Sequence, residues 1–266
     1  MIDLHGPMLT DEELELFQEQ GYVRLGKVAP GEEIDALCGR MDDIMLGKIR
    51  YDRMLMQLCP SAGKPELSKQ TKAFKESSLK YRKIQDLEQD ALFLAYMQHP
   101  LFRDITRKII GEQVSIFRAM FFNKPANQGV MINWHQDGAG GWGLSIRPKV
   151  TIWTALDATC VANACLQIIP GSHKTKIPEK GDQLSPEERA IHAPDEKRIY
   201  LEVEKGEVVL LHNWTLHRSE VNTIDRPRRA FSVCYIDAAT TQLSTGRSFP
   251  RVFPEYVPLE DMATIR

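Results

Sequence analysis

The side chains most able to do chemistry here are His135 and Asp137, with Gln136 between them, and His217, 82 positions after the first histidine (217 − 135). Two imidazoles and one carboxylate bind one face of Fe(II) and leave three positions open for a cosubstrate and O2. His135 and Asp137 stand two residues apart, which places both side chains on one face of an extended strand. A helical pair would stand three or four apart. Zinc also accepts two histidines and a carboxylate. The helical zinc run His-Glu-x-x-His is missing, however, and iron is the expected metal. His212 is a rival to His217 as third ligand. Taken singly, each histidine reads equally well as a satisfied structural residue.

Arg228 follows His217 by 11 positions (228 − 217), with Ser219 and Asn222 between. A guanidinium offers a fork to a carboxylate, such as the far end of a 2-oxo dicarboxylic acid whose near end chelates iron. Arg226 and Arg229 are nearby alternatives. Alternation along a strand starting at Arg228 sends Arg228 and Arg229 to opposite faces, so only one points inward. Directly after Asp137 runs Gly138-Ala139-Gly140-Gly141-Trp142-Gly143, a loop that another backbone or a ligand can approach closely. Trp142 reads either as a cover over substrate or as a surface aromatic at the mouth of the fold.

These residues need elements to bring them together. Thr10 and Glu13 form a capping box ahead of Leu14, Leu16 and Phe17, and Gly21 ends that helix. Tyr22-Val23-Arg24-Leu25 reads as a short strand. Residues 31–47 carry Ile34, Leu37, Met41, Ile44 and Met45 at helical spacing. Residues 86–110 hold further helix, broken at His99-Pro100 and stopped by Gly111. The lysine-rich stretch 61–83 reads as a solvated loop with a helical turn, or as a lid that meets an anionic substrate. From residue 114 the pattern changes. Segments 114–123, 150–156, 166–169, 199–203, 207–212 and 230–237 are short, rich in β-branched and aromatic residues, and separated by turns. Strands without intervening helices predict an antiparallel sandwich or barrel.

Composition narrows the function classes. The 266 residues are 42% hydrophobic and 26% charged, as in ordinary globular proteins. A net charge of −2 argues against broad electrostatic attraction to nucleic acid. No apolar run is long enough for a membrane span, and the start Met1-Ile2-Asp3-Leu4-His5 lacks a signal-peptide pattern. The five cysteines, Cys38, Cys59, Cys160, Cys165 and Cys234, show no CxxC spacing and read as reduced, buried residues of a cytoplasmic protein.

Residues 135–137 and 217–228, the run Trp153-Thr154-Ala155-Leu156-Asp157 and the turn Pro170-Gly171-Ser172-His173-Lys174 resemble the phytanoyl-CoA dioxygenase family of Fe(II)/2-oxoglutarate oxygenases. Residues 9–25, Lys83-Ile84-Gln85-Asp86 and the stretch 120–125 are similar to it as well, so the likeness spans nearly the whole chain. It implies a mainly β fold with flanking α-helices, a double-stranded β-helix or jelly-roll barrel of the cupin kind. One domain would cover 1–266, with a helical part at about 1–112 and the barrel core at about 113–240. The resemblance implies Fe(II) on His135, Asp137 and His217, and 2-oxoglutarate held by Arg228 and Ser219. Lys83, Met120 and Trp153 would line the same cosubstrate pocket. Without the resemblance, Met120 and Trp153 read as core and Lys83 as a solvated lysine.

The implied reaction consumes O2 and 2-oxoglutarate, releases succinate and CO2, and hydroxylates a small molecule, an acyl-CoA among the possibilities; ascorbate would serve as reductant in vitro. Halogenating relatives carry a small residue at the position of Asp137, so its carboxylate implies hydroxylation or another oxidation over halogenation. Two rival readings remain: a non-catalytic binder, and a cupin-type metal protein independent of 2-oxoglutarate. Arg228 separates the second from the first choice. The chain departs from the family pattern at Ala164, where glycine commonly precedes Cys-Leu. Neither end, including Ala263-Thr264-Ile265-Arg266, carries a peroxisomal signal, which again predicts a cytoplasmic setting.

Overall fold

Both arms of the expected capping box form at Thr10 and Glu13 and start helix α1 (Asp11–Gln20). Gly21, in the left-handed region at φ 76°, ends it and turns the chain into strand β1 (Tyr22–Lys27). Helix α2 (Gly31–Met45) buries Ile34, Leu37, Met41, Ile44 and Met45, the face its spacing predicted. These coordinates are a computed structural model describing residues 8–60, 70–138, 142–175, 177 and 184–255. The expectations for both chain ends, for lysines 64 and 69 and for residues 139–141 lie outside the described residues.

The N-terminal part is less helical than expected. Strands β2 (Leu55–Leu58), β3 (Thr71–Lys72) and β4 (Tyr81–Gln85) interrupt it. Residues 70–83 therefore hold strand where a loop with a helical turn was expected. The cause is tertiary. β4 pairs with β5 (Val114–Lys124), placing Lys83 opposite Phe122 and Gln85 opposite Met120. A lysine-rich segment shows no such pairing by its own composition. Helices α3 (Ala91–Met97) and α4 (Pro100–Ile109) follow β4, with His99 capping α4 and Pro100 in its first turn.

The remaining strands are β6 (Ile132–His135), β7 (Val150–Ala155), β8 (Leu166–Ile168), β9 (Ile199–Leu201), β10 (Glu207–Leu211), β11 (His217–Ser219), β12 (Arg228–Asp237) and β13 (Arg251–Phe253). A short helix, α5 (Pro186–His192), lies between β8 and β9, where only strands were expected. The major sheet runs β1-β10-β7-β12-β5-β4-β2-β3, with β13 added to β5; the minor sheet runs β6-β11-β8-β9. All these pairings are antiparallel. The two sheets do not close into a barrel among the described residues.

Period-two alternation gives the major sheet two buried faces. Ile152, Val208, Leu210, Phe231 and Val233 pack with α1–α4 in one core. Their neighbours Trp153, Val209, Leu211 and Ala230 face the other way, onto Leu166, Ile168 and Leu201 of the minor sheet. The cleft between the sheets is where the predicted site residues meet.

Candidate active site

His135 ends β6 and His217 begins β11, directly opposite it in the antiparallel ladder. The two rings lie 4.1 Å apart, centroid to centroid. His135 Nδ1 bonds the Asn133 carbonyl at 2.8 Å, and His217 Nδ1 bonds the Thr215 carbonyl at 2.9 Å. A carbonyl only accepts, so the proton sits on each Nδ1 and leaves each Nε2 lone pair free. Asp137 lies in the turn just past β6, with Oδ1 3.6 Å from His135 Nε2 and Oδ2 3.9 Å from His217 Nε2. One ligand atom from each of the three lies within 4.8 Å of the others. Burial first, and then His135, push the His217 pKa down to about 4. The ring is thus neutral near pH 7, as a metal ligand must be. This donor set fits a divalent metal with open positions.

A turn outside the triad holds both histidine strands. Gln136 points away from the cleft, and its Nε2 donates to the carbonyls of Trp214 (2.7 Å), Thr175 (3.0 Å) and Ser172 (3.3 Å). The Ser172 hydroxyl accepts from Leu216 N at 2.8 Å and donates to the Ile169 carbonyl. The 170–174 turn thereby ties the end of β6 to the start of β11. His212 faces the same cleft but stands outside the metal-binding group. Its Nδ1 accepts from Trp214 N, and its ring packs 4.9 Å from that of His173.

All eight site residues predicted from sequence line one cavity of about 260 Å³: Lys83, Met120, His135, Asp137, Trp153, His217, Ser219 and Arg228. Arg228 is 3% exposed and occupies the first position of β12. Its Nη2 donates to the Ala164 carbonyl at 2.9 Å, while its Nε is buried with no partner among the described residues. Burial lowers the Arg228 pKa to about 10, which keeps the guanidinium charged at neutral pH. An unpartnered buried donor beside a free cleft suits an incoming carboxylate. Arg229 takes the opposite face as expected. It clamps Asp157 through Nε and Nη2, both at 2.8 Å, and reaches Asp42 of α2. Ala164 sits at φ 65°, so the fold imposes on this alanine the conformation glycine adopts freely.

Sequence reasoning missed several cations that line the cavity. Lys124, opposite Arg228 in the ladder, is buried and donates to the carbonyls of Val130 and Glu220. Burial, then Arg228, lower its pKa to about 6. Arg118, Met120, Phe122 and Lys124 alternate along β5 and all face the cavity. Once Met120 is placed inside, period two was the signal for the other three. Trp142, read from sequence either as a cover over substrate or as a surface aromatic, also lines the cavity, with Arg118 4.5 Å from its ring.

The chain matches the family described as Phytanoyl-CoA dioxygenase (PhyH) over residues 17–230. It is 27% identical over 244 residues to a Caenorhabditis elegans protein named "Probable phytanoyl-CoA dioxygenase", covering 86% of this chain and 76% of that one. Among solved structures it resembles the non-heme alpha ketoglutarate dependent carbocyclase SnoK from nogalamycin biosynthesis, with TM-score 0.67 and 23% identity. That match covers 88% of this chain and 86% of SnoK. It also resembles EctD from S. alaskensis, solved with 2-oxoglutarate and 5-hydroxyectoine, with TM-score 0.69 and 18% identity over 92% of this chain and 79% of that chain. At these identities the two structures establish a shared fold. Among the described residues no helix is long and apolar enough to cross a membrane.

Proposed function

The chain belongs to the phytanoyl-CoA dioxygenase family, and from that premise we propose that His135, Asp137 and His217 hold Fe(II) beside a 2-oxoglutarate site that ends at Arg228. The chain is a 2-oxoglutarate-dependent oxygenase. The observation that carries the site reading is the convergence of two free Nε2 atoms and a carboxylate on a cavity that buried Arg228 also lines. Bound Fe(II) and 2-oxoglutarate supply the activation of O2, with release of succinate and CO2 and insertion of oxygen into a substrate C–H bond.

The chain's own residues do the positioning. The carbonyls of Asn133 and Thr215 lock both imidazoles with Nε2 toward the cleft. Asp137 adds the negative charge that a divalent ion needs. Arg228 receives the far carboxylate of the cosubstrate, and Ser219, buried on β11 of the minor sheet and lining the same cavity, offers it a hydroxyl donor. Lys83 lines the same cavity and offers the cosubstrate a second cation. Met120 and Trp153 wall the cavity and exclude water. The substrate is a small molecule, and an acyl-CoA thioester is one reading of it.

The test is succinate formation by anaerobically purified protein given Fe(II), ascorbate, O2 and 2-oxoglutarate, with and without a panel of acyl-CoAs and small acids. Succinate should appear only with Fe(II) and rise with the right compound. Asp137→Ala should abolish it. Wild-type consumption of 2-oxoglutarate by that variant would sink the ligand assignment, and failure of the wild type to bind 2-oxoglutarate would sink the whole reading.

A further inference from the structure

We propose that Arg118 is the anchor for an acidic primary substrate: a small organic anion whose carboxylate or phosphate lies close to the carbon that is oxidised. The inference rests on the cosubstrate site assigned above and adds to it the chemical class of the substrate.

The cavity is strongly cationic for a chain whose net charge is −2. Arg82, Lys83, Arg118, Arg218 and Arg228 all line it, and among the described residues Asp137 is the one carboxylate that does. Most of these cations are engaged. Arg218 binds Gln167 and Glu220, and Arg82 binds Gln57. Arg228 and Lys83 are assigned to the cosubstrate. Arg118 is left over. Among the described residues no hydrogen bond or ion pair engages its guanidinium; two aromatic rings hold it instead, Phe117 at 4.6 Å and Trp142 at 4.5 Å.

Position sets Arg118 apart from Arg228, the arginine assigned to the far carboxylate of the cosubstrate. Arg118 and Lys124 lie six residues apart on β5 (124 − 118), and Lys124 is opposite Arg228. At strand rise that is roughly 20 Å between the two ends of the cavity wall. The carboxylates of a five-carbon diacid lie far closer together. The far carboxylate held at Arg228 therefore lies away from the strand position of Arg118. The metal-binding group lies toward the Arg118 end. A Cβ placed on Gly138, next to Asp137, would come within 3.2 Å of the Trp142 ring on which Arg118 rests. The Asp137 charge is also the main one that Arg118 feels. With Asp137 committed to a metal, an unsatisfied guanidinium faces the open cavity. Stacked guanidinium groups keep their in-plane N–H donors free, which is the geometry that receives a carboxylate or phosphate.

The bland alternative is that Arg118 only braces Trp142. An acyl-CoA gives a third arrangement, because its phosphates lie far from the acyl carbon. Calorimetric titration under nitrogen separates these, using protein loaded with Fe(II) and 2-oxoglutarate. The probes are hexanoate, hexyl phosphate, neutral hexanamide and hexanoyl-CoA. Wild type should bind hexanoate or hexyl phosphate at least tenfold more tightly than hexanamide, and the tighter of the two identifies the acid. Arg118→Gln should erase that preference and Arg118→Lys should restore part of it. Both variants should keep 2-oxoglutarate affinity within about threefold, the scale of a lost contact to a neutral neighbour. Equal binding of acid and amide, a preference that survives Arg118→Gln, or binding of hexanoyl-CoA alone would each overturn the proposal. Absent binding of both anions to protein that does bind 2-oxoglutarate would overturn it too. Loss of 2-oxoglutarate binding by the wild type would instead strike the proposed function on which this rests.

Discussion

Two adjacent arginines divide the labour at the start of β12. Arg228 turns into the cleft with an unpartnered Nε, while Arg229 turns out and clamps Asp157. Arg228→Met should raise the KM for 2-oxoglutarate about a hundredfold, the cost of stranding a buried carboxylate without its charge-assisted partner. Arg229→Met should leave that KM nearly unchanged and lower the melting temperature instead. Equal KM effects for the two variants would contradict the facing. Lys83 supplies a pH signature. Burial first, then Arg118 and Arg82, lower its pKa to about 8. Its ammonium is present below that value and lost above it. The affinity for 2-oxoglutarate should therefore fall as pH rises through about 8, with the break displaced upward in the complex. Lys83→Met should flatten the profile; an unchanged break would assign it to another group. The same depressed pKa means the unfolded chain binds more protons than the folded one between about 8 and the ordinary lysine value. The contribution of Lys83 to stability accordingly rises with pH in that window.

At the scale of elements, the metal-binding group depends on two strand ends that no local interaction joins. β6 and β11 are short, and a register shift follows the His135–His217 pair. The 170–174 turn compensates. Ser172 bonds Leu216 N beside His217, and Gln136 beside His135 bonds the Ser172 and Thr175 carbonyls. The turn motif named from sequence is thus a clasp on the site. Ser172→Ala should weaken Fe(II) binding about tenfold with little change in melting temperature, as removal of an outer partner of a metal ligand does. Fe(II) affinity equal to wild type would show that the strands hold themselves. The glycine-to-alanine departure at Ala164 acts on another element. It places a left-handed alanine where the backbone carbonyl receives Arg228, so the cradle of the cosubstrate arginine persists without the usual glycine.

For the molecule as a whole, the major sheet separates stability from chemistry. Its helix-facing side holds Phe231, packed edge-on to Phe93 with ring centroids 4.9 Å apart. Its cleft-facing side holds Trp153 and Ala230 against the minor sheet. Phe231→Ala should cost about 3 to 5 kcal/mol and lower the melting temperature by about 10 °C. Below that transition, the 2-oxoglutarate affinity should stay near wild type. A large loss of affinity in the folded variant would show that the two faces are coupled through the sheet.

The sequence by itself determined the residue types of the site and the faces of its strands. The His135, Asp137, His217 spacing and the Arg228/Arg229 alternation are legible because strand periodicity and ligand chemistry are local properties, while the turn at 170–174 was legible only through its resemblance to the family. Helices α1, α2 and α4 were legible for the same reason, from caps, spacing and proline. Only the tertiary structure decided which residues became neighbours across long separations. It made 81–85 a strand by pairing it with β2 and β5, against the loop-like composition of the lysine-rich stretch. It excluded His212 by turning that ring toward His173 and Trp214. It also set Arg118 on Trp142, six strand positions along β5 from Lys124, the ladder partner of Arg228. Backbone pairing between distant segments depends on the partner strand, which a local pattern does not encode.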